Sequence, residues 1–260
     1  MKAAPITTAV PSWRSAPETL VIDRDEVHIW QATLDQTPLQ TQSFFHTLAA
    51  DERARAGRFY FDRDRAHFIV ARGVLRAILG GYMNRTPESL SFCYGPHGKP
   101  ALAGESDGET IRFNLSHCHG AALYAFTRSR EVGVDIERIR DDLAVAEIAD
   151  RFFSRREVAM LRMLPTEQQH CAFFRCWTRK EAYIKARGEG LSLPLDRFDV
   201  SLAPGEPAVI LGTRPDPSEA SRWSVQDLAP AAGFAAALAA EGHGWRVTCW
   251  QWPDPRRPSV

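Results

Sequence analysis

The stretch from Phe173 to Leu195, FFRCWTRKEAYIKARGEGLSLPL, constrains this chain more than any other, and it is read together with Val132 to Glu137, VGVDIE. Phe173, Phe174, Trp177, Tyr183 and Ile184 recur at near-helical spacing, which predicts a helix with an aromatic face turned to a core. Glu181 and Lys185 stand at i and i+4, neighbours on another side of that helix. In VGVDIE, β-branched residues alternate with Asp135 and Glu137, so a strand here sends both carboxylates to one face and Val134 and Ile136 to the other. Two carboxylates with no cation between them repel. Asp135, Glu137 and Glu181 brought together form a hard, all-oxygen site suited to Mg²⁺, with Mn²⁺ able to substitute, of the kind that shares its coordination sphere with a substrate phosphate. Lys185 would then face that phosphate.

Composition narrows the partners. Lys and Arg total 32 against 32 Asp and Glu, so the net field gives no reason to expect a nucleic acid or an anionic membrane. The first twenty residues hold no continuous apolar run, and the longest elsewhere, near Gly233 to Ala240, is too short to span a bilayer; a soluble, cytoplasmic protein is expected. Five cysteines without CxxC spacing argue against a disulfide framework or a zinc site and are expected to be buried free thiols.

Along the chain, residues 1–19 are expected to be a flexible arm, 20–131 an N-terminal half, 132–252 a C-terminal half, and 253–260 a flexible tail. Val27-His28-Ile29 reads as a strand, and a helix beginning near Ser43 is expected to run through DERARAGRF. A longer helix spans about Asp64 to Tyr82, and TIRFNLSHCHGAALYAFT gives two strands with Asn114-Leu115-Ser116-His117 at the end of the first. Ser154 and Glu157 have capping-box spacing, and the segment from Phe198 to Trp252 reads as closing strands. Val27-His28-Ile29 echoes Val134-Asp135-Ile136, and Ala71-Arg72-Gly73 echoes Ala186-Arg187-Gly188 at a similar offset. The expected fold is therefore α+β: two similar halves about a pseudo-twofold axis, each a small antiparallel sheet packed with helices, with the active site in the cleft between them. His28 and Trp30 occupy the places of Asp135 and Glu137 in the first copy, which confines the chemistry to one cleft site.

Five motifs follow one another: GKP at Gly98 to Pro100, FNLSH at Phe113 to His117, VGVDIE, RFFS at Arg151 to Ser154, and W-x-x-KEAYIKA-x-G-x-GLSLPL at Trp177 to Leu195. In that order and spacing the sequence resembles the 4'-phosphopantetheinyl transferases of the larger, pseudo-dimeric Sfp-like type, from Leu48 to about Ala239. The resemblance implies a Mg²⁺-dependent enzyme that moves the phosphopantetheine arm of coenzyme A to a serine of an apo acyl, peptidyl or aryl carrier protein and releases adenosine 3',5'-bisphosphate. It assigns Asp135, Glu137 and Glu181 to the metal, and Arg63, Lys99, Ser116, His117, Lys180 and Lys185 to the coenzyme. Glu52 and Arg55 stand where Sfp-like members carry lysines. As catalytic residues, Glu181 is expected to act as base and Lys185 to stabilise the leaving phosphate. Phe152, Phe153, Met160 and Leu164 are apolar candidates for the carrier contact, and the duplicated chain is expected to be a monomer. Two other readings use the same residues: a Mg²⁺-dependent coenzyme A pyrophosphohydrolase, and a noncatalytic coenzyme A or carrier-binding protein. Standing alone, Glu181 and Lys185 would be an exposed helix pair worth a few tenths of a kcal/mol, and Lys99 the polar residue of a turn.

Overall fold

The structure, a computed structural model, describes residues 12–104 and 110–253. The first half carries β1 (Trp13–Ser15), β2 (Glu26–Thr33), α1 (Pro38–Thr47), α2 (Ala50–Ala56), α3 (Asp62–Met83), β3 (Phe92–Tyr94), β4 (Pro100–Leu102), β5 (Ile111–Cys118) and β6 (Ala121–Arg128). The second carries β7 (Val132–Arg138), α4 (Val145–Phe152), α5 (Arg155–Met163), α6 (Thr166–Arg187), β8 (Phe198–Val200), β9 (Ile210–Thr213), β10 (Trp223–Leu228), β11 (Phe234–Glu241) and β12 (Arg246–Gln251). A strand, short helices, a helix of 22 residues, a small two-stranded sheet and two further strands thus occur twice in the same order. The strands also pair alike: β2-β6-β5 in one sheet and β7-β11-β10 in the other.

Alternation along the strands builds four layers. Val27, Ile29, Leu123 and Ala125 of the first sheet meet Val134, Ile136, Ala236 and Leu238 of the second, so the sheets pack face to face. On the outer face of the first, Trp30, Tyr124 and Phe126 pack against Val70, Val74 and Ile78 of α3. Outside the second, Ala235, Ala237 and Ala239 receive Phe173, Tyr183 and Ile184 of α6. The aromatic face predicted for α6 is therefore its buried face, each such side chain stabilising the fold by roughly 1.5–3 kcal/mol. Gly188, in the left-handed region with φ 70°, ends the helix.

Three details depart from expectation. The first sheet is not wholly antiparallel: β12 crosses back from the C-terminal half to pair in parallel with β2, and β1 pairs in parallel with β12. An uncovered β2 edge would leave unpaired backbone groups, and the returning strand satisfies them. Residues 13–15 of the expected N-terminal arm are thus strand; residues 1–11 of that arm and 254–260 of the expected tail lie outside the described residues. Lastly, the helix expected to continue into DERARAGRF breaks into α1 and α2 at Leu48–Ala49, where the Glu52 carboxylate accepts from the Ala49 N–H at 2.9 Å. Glu52 is 2% exposed and pairs with Arg72 and Arg76 of α3, each at 2.6 Å, so burial of this triad dictates the break.

α6 and β7 approach unusually closely. A Cβ at Gly133 would lie 2.1 Å from Ala182 O and 2.3 Å from Ala186 N, both backbone atoms that cannot swing aside. Gly133→Ala is expected to destabilise the protein by at least the ~3 kcal/mol reached by severe overpacking, read as a fall of roughly 6 °C or more in Tm by calorimetry. An unchanged Tm would contradict the close approach.

Candidate active site

Strands β5 and β7 face each other through side chains. Along β5, the even-numbered residues point to one side, and in order they meet successive positions in and just before β7. Arg112 lies 3.6 Å from Glu131, Asn114 Oδ1 accepts from the Val134 N–H at 2.9 Å, Ser116 Oγ donates to Asp135 Oδ1 at 2.9 Å, and Cys118 Sγ donates to Glu137 Oε2 at 3.2 Å. Residue numbers rise together on both sides, so this seam between the halves runs in parallel. Asn114 and Cys118 were not among the residues singled out from sequence. The resemblance assigns Ser116, and period-two alternation from it along the strand reaches both.

α6 lies over the same seam because of Gly133. Lys185 Nζ donates to Asp135 Oδ1 at 2.6 Å and to Ser116 Oγ at 2.9 Å, and the Ser116 hydroxyl donates a hydrogen bond to the same Asp135 oxygen. Asp135 is nearly buried while the Lys185 side chain keeps 28% of its surface. Glu181, one turn before Lys185, feels Lys185, Asp135 and Glu137, and Glu137 feels Asp135 and Lys185. Burial raises the Glu181 pKa, with Asp135 and Glu137 adding to the rise and Lys185 opposing it. Burial and then Asp135 raise Glu137, against the Cys118 hydrogen bond and Lys185. The Cys118 thiol is itself pushed up to about 11, chiefly by burial, so it remains a donor.

Among the described residues, no group of three or more His, Cys, Asp or Glu side chains is gathered tightly enough to hold a metal ion. The donor set nonetheless fits a hard cation. All three groups are carboxylates, and Asp135 Oδ2 is buried without a hydrogen-bond partner.

The other expected coenzyme residues separate. His117 is exposed near the end of β5; partial desolvation by the surrounding protein, then Lys185 and His67, lower its pKa, and Asp64 of α3 opposes them. His67 is held by Asp35 at 2.7 Å. Arg63 is exposed in the first turn of α3, beside Asp64. Lys180 is a correction: its amine is fully buried, paired with Glu157 at 2.8 Å and donating to Leu195 O at 2.7 Å and Phe198 O at 2.6 Å. All three of its protons have protein acceptors, so it joins α6 to α5 and the 195–200 segment and leaves nothing for the coenzyme. Lys99 is likewise committed, to Glu131, Val132 O and Ala186 O. Of the carrier-contact candidates, Phe153 is 4% exposed and Met160 and Leu164 pack on the core, whereas Phe152 is exposed. The free thiols divide as well, Cys176 and Cys249 being buried and Cys93 and Cys171 exposed. In the first copy, His28 and Trp30 both bond the Tyr82 hydroxyl, at 2.7 and 3.0 Å, a structural use of the positions equivalent to Asp135 and Glu137.

The sequence matches the family model described as 4'-phosphopantetheinyl transferase superfamily over residues 131–239, and that described as 4'-phosphopantetheinyl transferase, N-terminal, over residues 29–127. It is 41% identical over 241 residues to the 4'-phosphopantetheinyl transferase HetI of Nostoc sp., covering 93% of this chain and 98% of HetI. Identity to the 4'-phosphopantetheinyl transferase Sfp of Bacillus subtilis is 31% over 163 residues, 63% of this chain and 70% of Sfp. The holo-(acyl-carrier-protein) synthase of Thermotoga maritima superposes on 43% of this chain and 62% of its own with a TM-score of 0.34 at 20% identity, too distant to carry an argument. Among the described residues, no helix is long and apolar enough to cross a membrane.

The carboxylate cluster sets a pH dependence. A carboxyl whose folded pKa is raised binds protons more tightly folded than unfolded, so its ionisation erodes stability as pH climbs from the unfolded to the folded pKa. Glu137→Gln, which can still accept from Cys118, is expected to raise Tm by ~2–4 °C at pH 8 in chelator-containing buffer, with the gain vanishing near pH 4. Parallel Tm curves for the two proteins would contradict the raised Glu137 pKa.

Proposed function

The chain belongs to the 4'-phosphopantetheinyl transferase superfamily, and from that premise we propose that it transfers the phosphopantetheine arm of coenzyme A to a serine hydroxyl of an apo acyl or peptidyl carrier protein. The observation that supports this reading is the contact of Lys185 with Asp135 on the seam, with Glu137 and Glu181 near enough to feel both. In the reaction the serine oxygen bonds to the β-phosphorus of coenzyme A, the bridge oxygen departs with the α-phosphate, and adenosine 3',5'-bisphosphate leaves. A Mg²⁺ held by Asp135, Glu137 and Glu181 would supply positive charge to the pyrophosphate oxygens.

The chain's own groups account for the remaining steps. Lys185, already aimed into the seam by Asp135 and Ser116, turns one of its donors to the departing phosphate oxygen, where negative charge develops. Glu181, whose carboxylate would lie beside both the metal and the incoming hydroxyl, takes the serine proton. Ser116 limits the rotation of Lys185, and His117 at the mouth offers an imidazole to the coenzyme. Because two halves of one chain form the seam, the same reading makes the enzyme a monomer.

The test is incubation with coenzyme A, Mg²⁺ and a panel of apo carriers, followed by intact mass measurement. A phosphopantetheine-sized gain is expected, reduced roughly 10²–10³-fold in Asp135→Ala and in Lys185→Ala and abolished by chelation. Release of adenosine 3',5'-bisphosphate without carrier modification would replace transfer by hydrolysis. Coenzyme binding with neither product would replace it by a binding role.

A further inference from the structure

Lys99 comes from the tight β3–β4 connection of the first half. Lys99 O accepts from the Gly95 N–H and Gly95 O from the Gly98 N–H, both at 2.9 Å, and Gly98 has φ 82°, so the turn that presents the side chain is internally fixed. The amine reaches the junction of the two halves and crosses into the second. It donates to Glu131 Oε2 at 2.8 Å, to Val132 O at 3.2 Å and to Ala186 O at 2.9 Å. An ammonium has three protons, and each therefore has an acceptor.

These acceptors are not arbitrary. Ala186 O lies in the last turn of α6, where carbonyls lack intrahelical partners; the Gly188 N–H serves Ile184 O and Lys185 O instead. A cation there also complements the negative end of the helix. Val132 O belongs to the residue before Gly133, where α6 and β7 come closest, and Ala186 follows Lys185. The left-handed Gly188 leaves room for the stem, since a Cβ there would lie 3.3 Å from Lys99 Cδ. Lys99 thus grips α6 one residue from Lys185 and β7 three residues from Asp135, the two groups that must meet.

We propose, resting on the transferase reading above, that Lys99 is a positioning residue: its ammonium clamps the end of α6 to the start of β7 and so sets Lys185 against Asp135, in place of a direct contact with the coenzyme. Without that ammonium, Ala186 O and Val132 O lose a shared donor, and the last turn of α6 is free to lift. Displacement of Lys185 by about 1 Å is enough for a rate loss on the order of 10²-fold, with little change in coenzyme affinity.

The experiment compares wild type with Lys99→Met, and with Lys99→Gln should the first fail to fold. Transfer kinetics are measured with coenzyme A and with 3'-dephospho-coenzyme A, and amide hydrogen exchange is followed over residues 183–189. Expected are a kcat at least about tenfold lower with both donors, KM for each within about twofold of wild type, and faster exchange of the α6 C-terminal amides. A raised KM for coenzyme A with kcat retained, or a defect that disappears with the dephospho donor, would overturn the proposal in favour of a phosphate contact. Unchanged exchange would overturn it too. If wild type modifies no carrier, the transferase reading fails on its own, and the exchange measurement still decides whether Lys99 clamps the helix.

Discussion

The near-contact of α6 with the β7 backbone at Gly133 is what the rest of the site depends on. A side chain there would hold the helix away, and Lys185 could no longer reach Asp135 at 2.6 Å. The alanines of β11 serve the same approach: Ala235, Ala237 and Ala239 give the helix a flat bed, while its aromatic residues fill the core beside them. With α6 so placed, its polar flank falls on the seam between β5 and β7. That seam is joined by side chains, and the residues that join it are the residues with the chemistry. Fold and site are here one arrangement, since Ser116 and Asp135 both hold the halves together and orient the lysine.

The two lysines of the KEAYIK motif show how differently one helix can use the same charge. Lys180 and Glu157 are fully buried, and every ammonium proton of Lys180 and both carboxylate oxygens of Glu157 have partners, which makes the desolvated ions tolerable. Lys185 stays partly open to solvent and shares its acceptors, and its partner keeps a bare oxygen, Asp135 Oδ2. Unsatisfied charge and raised carboxyl pKa values gather where a cation and a phosphate are proposed to bind, as expected of a functional site and not of a structural ion pair.

Much of this was legible in the sequence because it rests on local periodicity. Alternation in VGVDIE fixed the faces of Asp135 and Val134, and i,i+4 spacing put Glu181 with Lys185. The same periodicity argues against Lys180: five residues before Lys185, it lies about 140° away around a 3.6-residue helix, on the side that the aromatic core occupies. Lys99 could not be read in this way, since two of its three acceptors, Val132 O and Ala186 O, lie in the other half and the motif itself speaks only of a lysine in a turn. Nor could the return of β12 to β2, a pairing of residues more than two hundred positions apart for which short alternating segments carry no address. The break between α1 and α2 was hidden for a related reason: Glu52 looks like a surface residue of a charged helix until Arg72 and Arg76 of the next helix enclose it.

The central claim is that the seam carboxylates hold a divalent cation against the coenzyme's pyrophosphate, and Mn²⁺ electron paramagnetic resonance addresses it most directly. The protein titrated with Mn²⁺ in the presence of coenzyme A should bind one equivalent showing phosphorus hyperfine coupling, and Asp135→Asn should lose that signal while remaining folded. Mn²⁺ bound without phosphorus coupling, or bound unchanged in the Asp135 variant, would contradict the account.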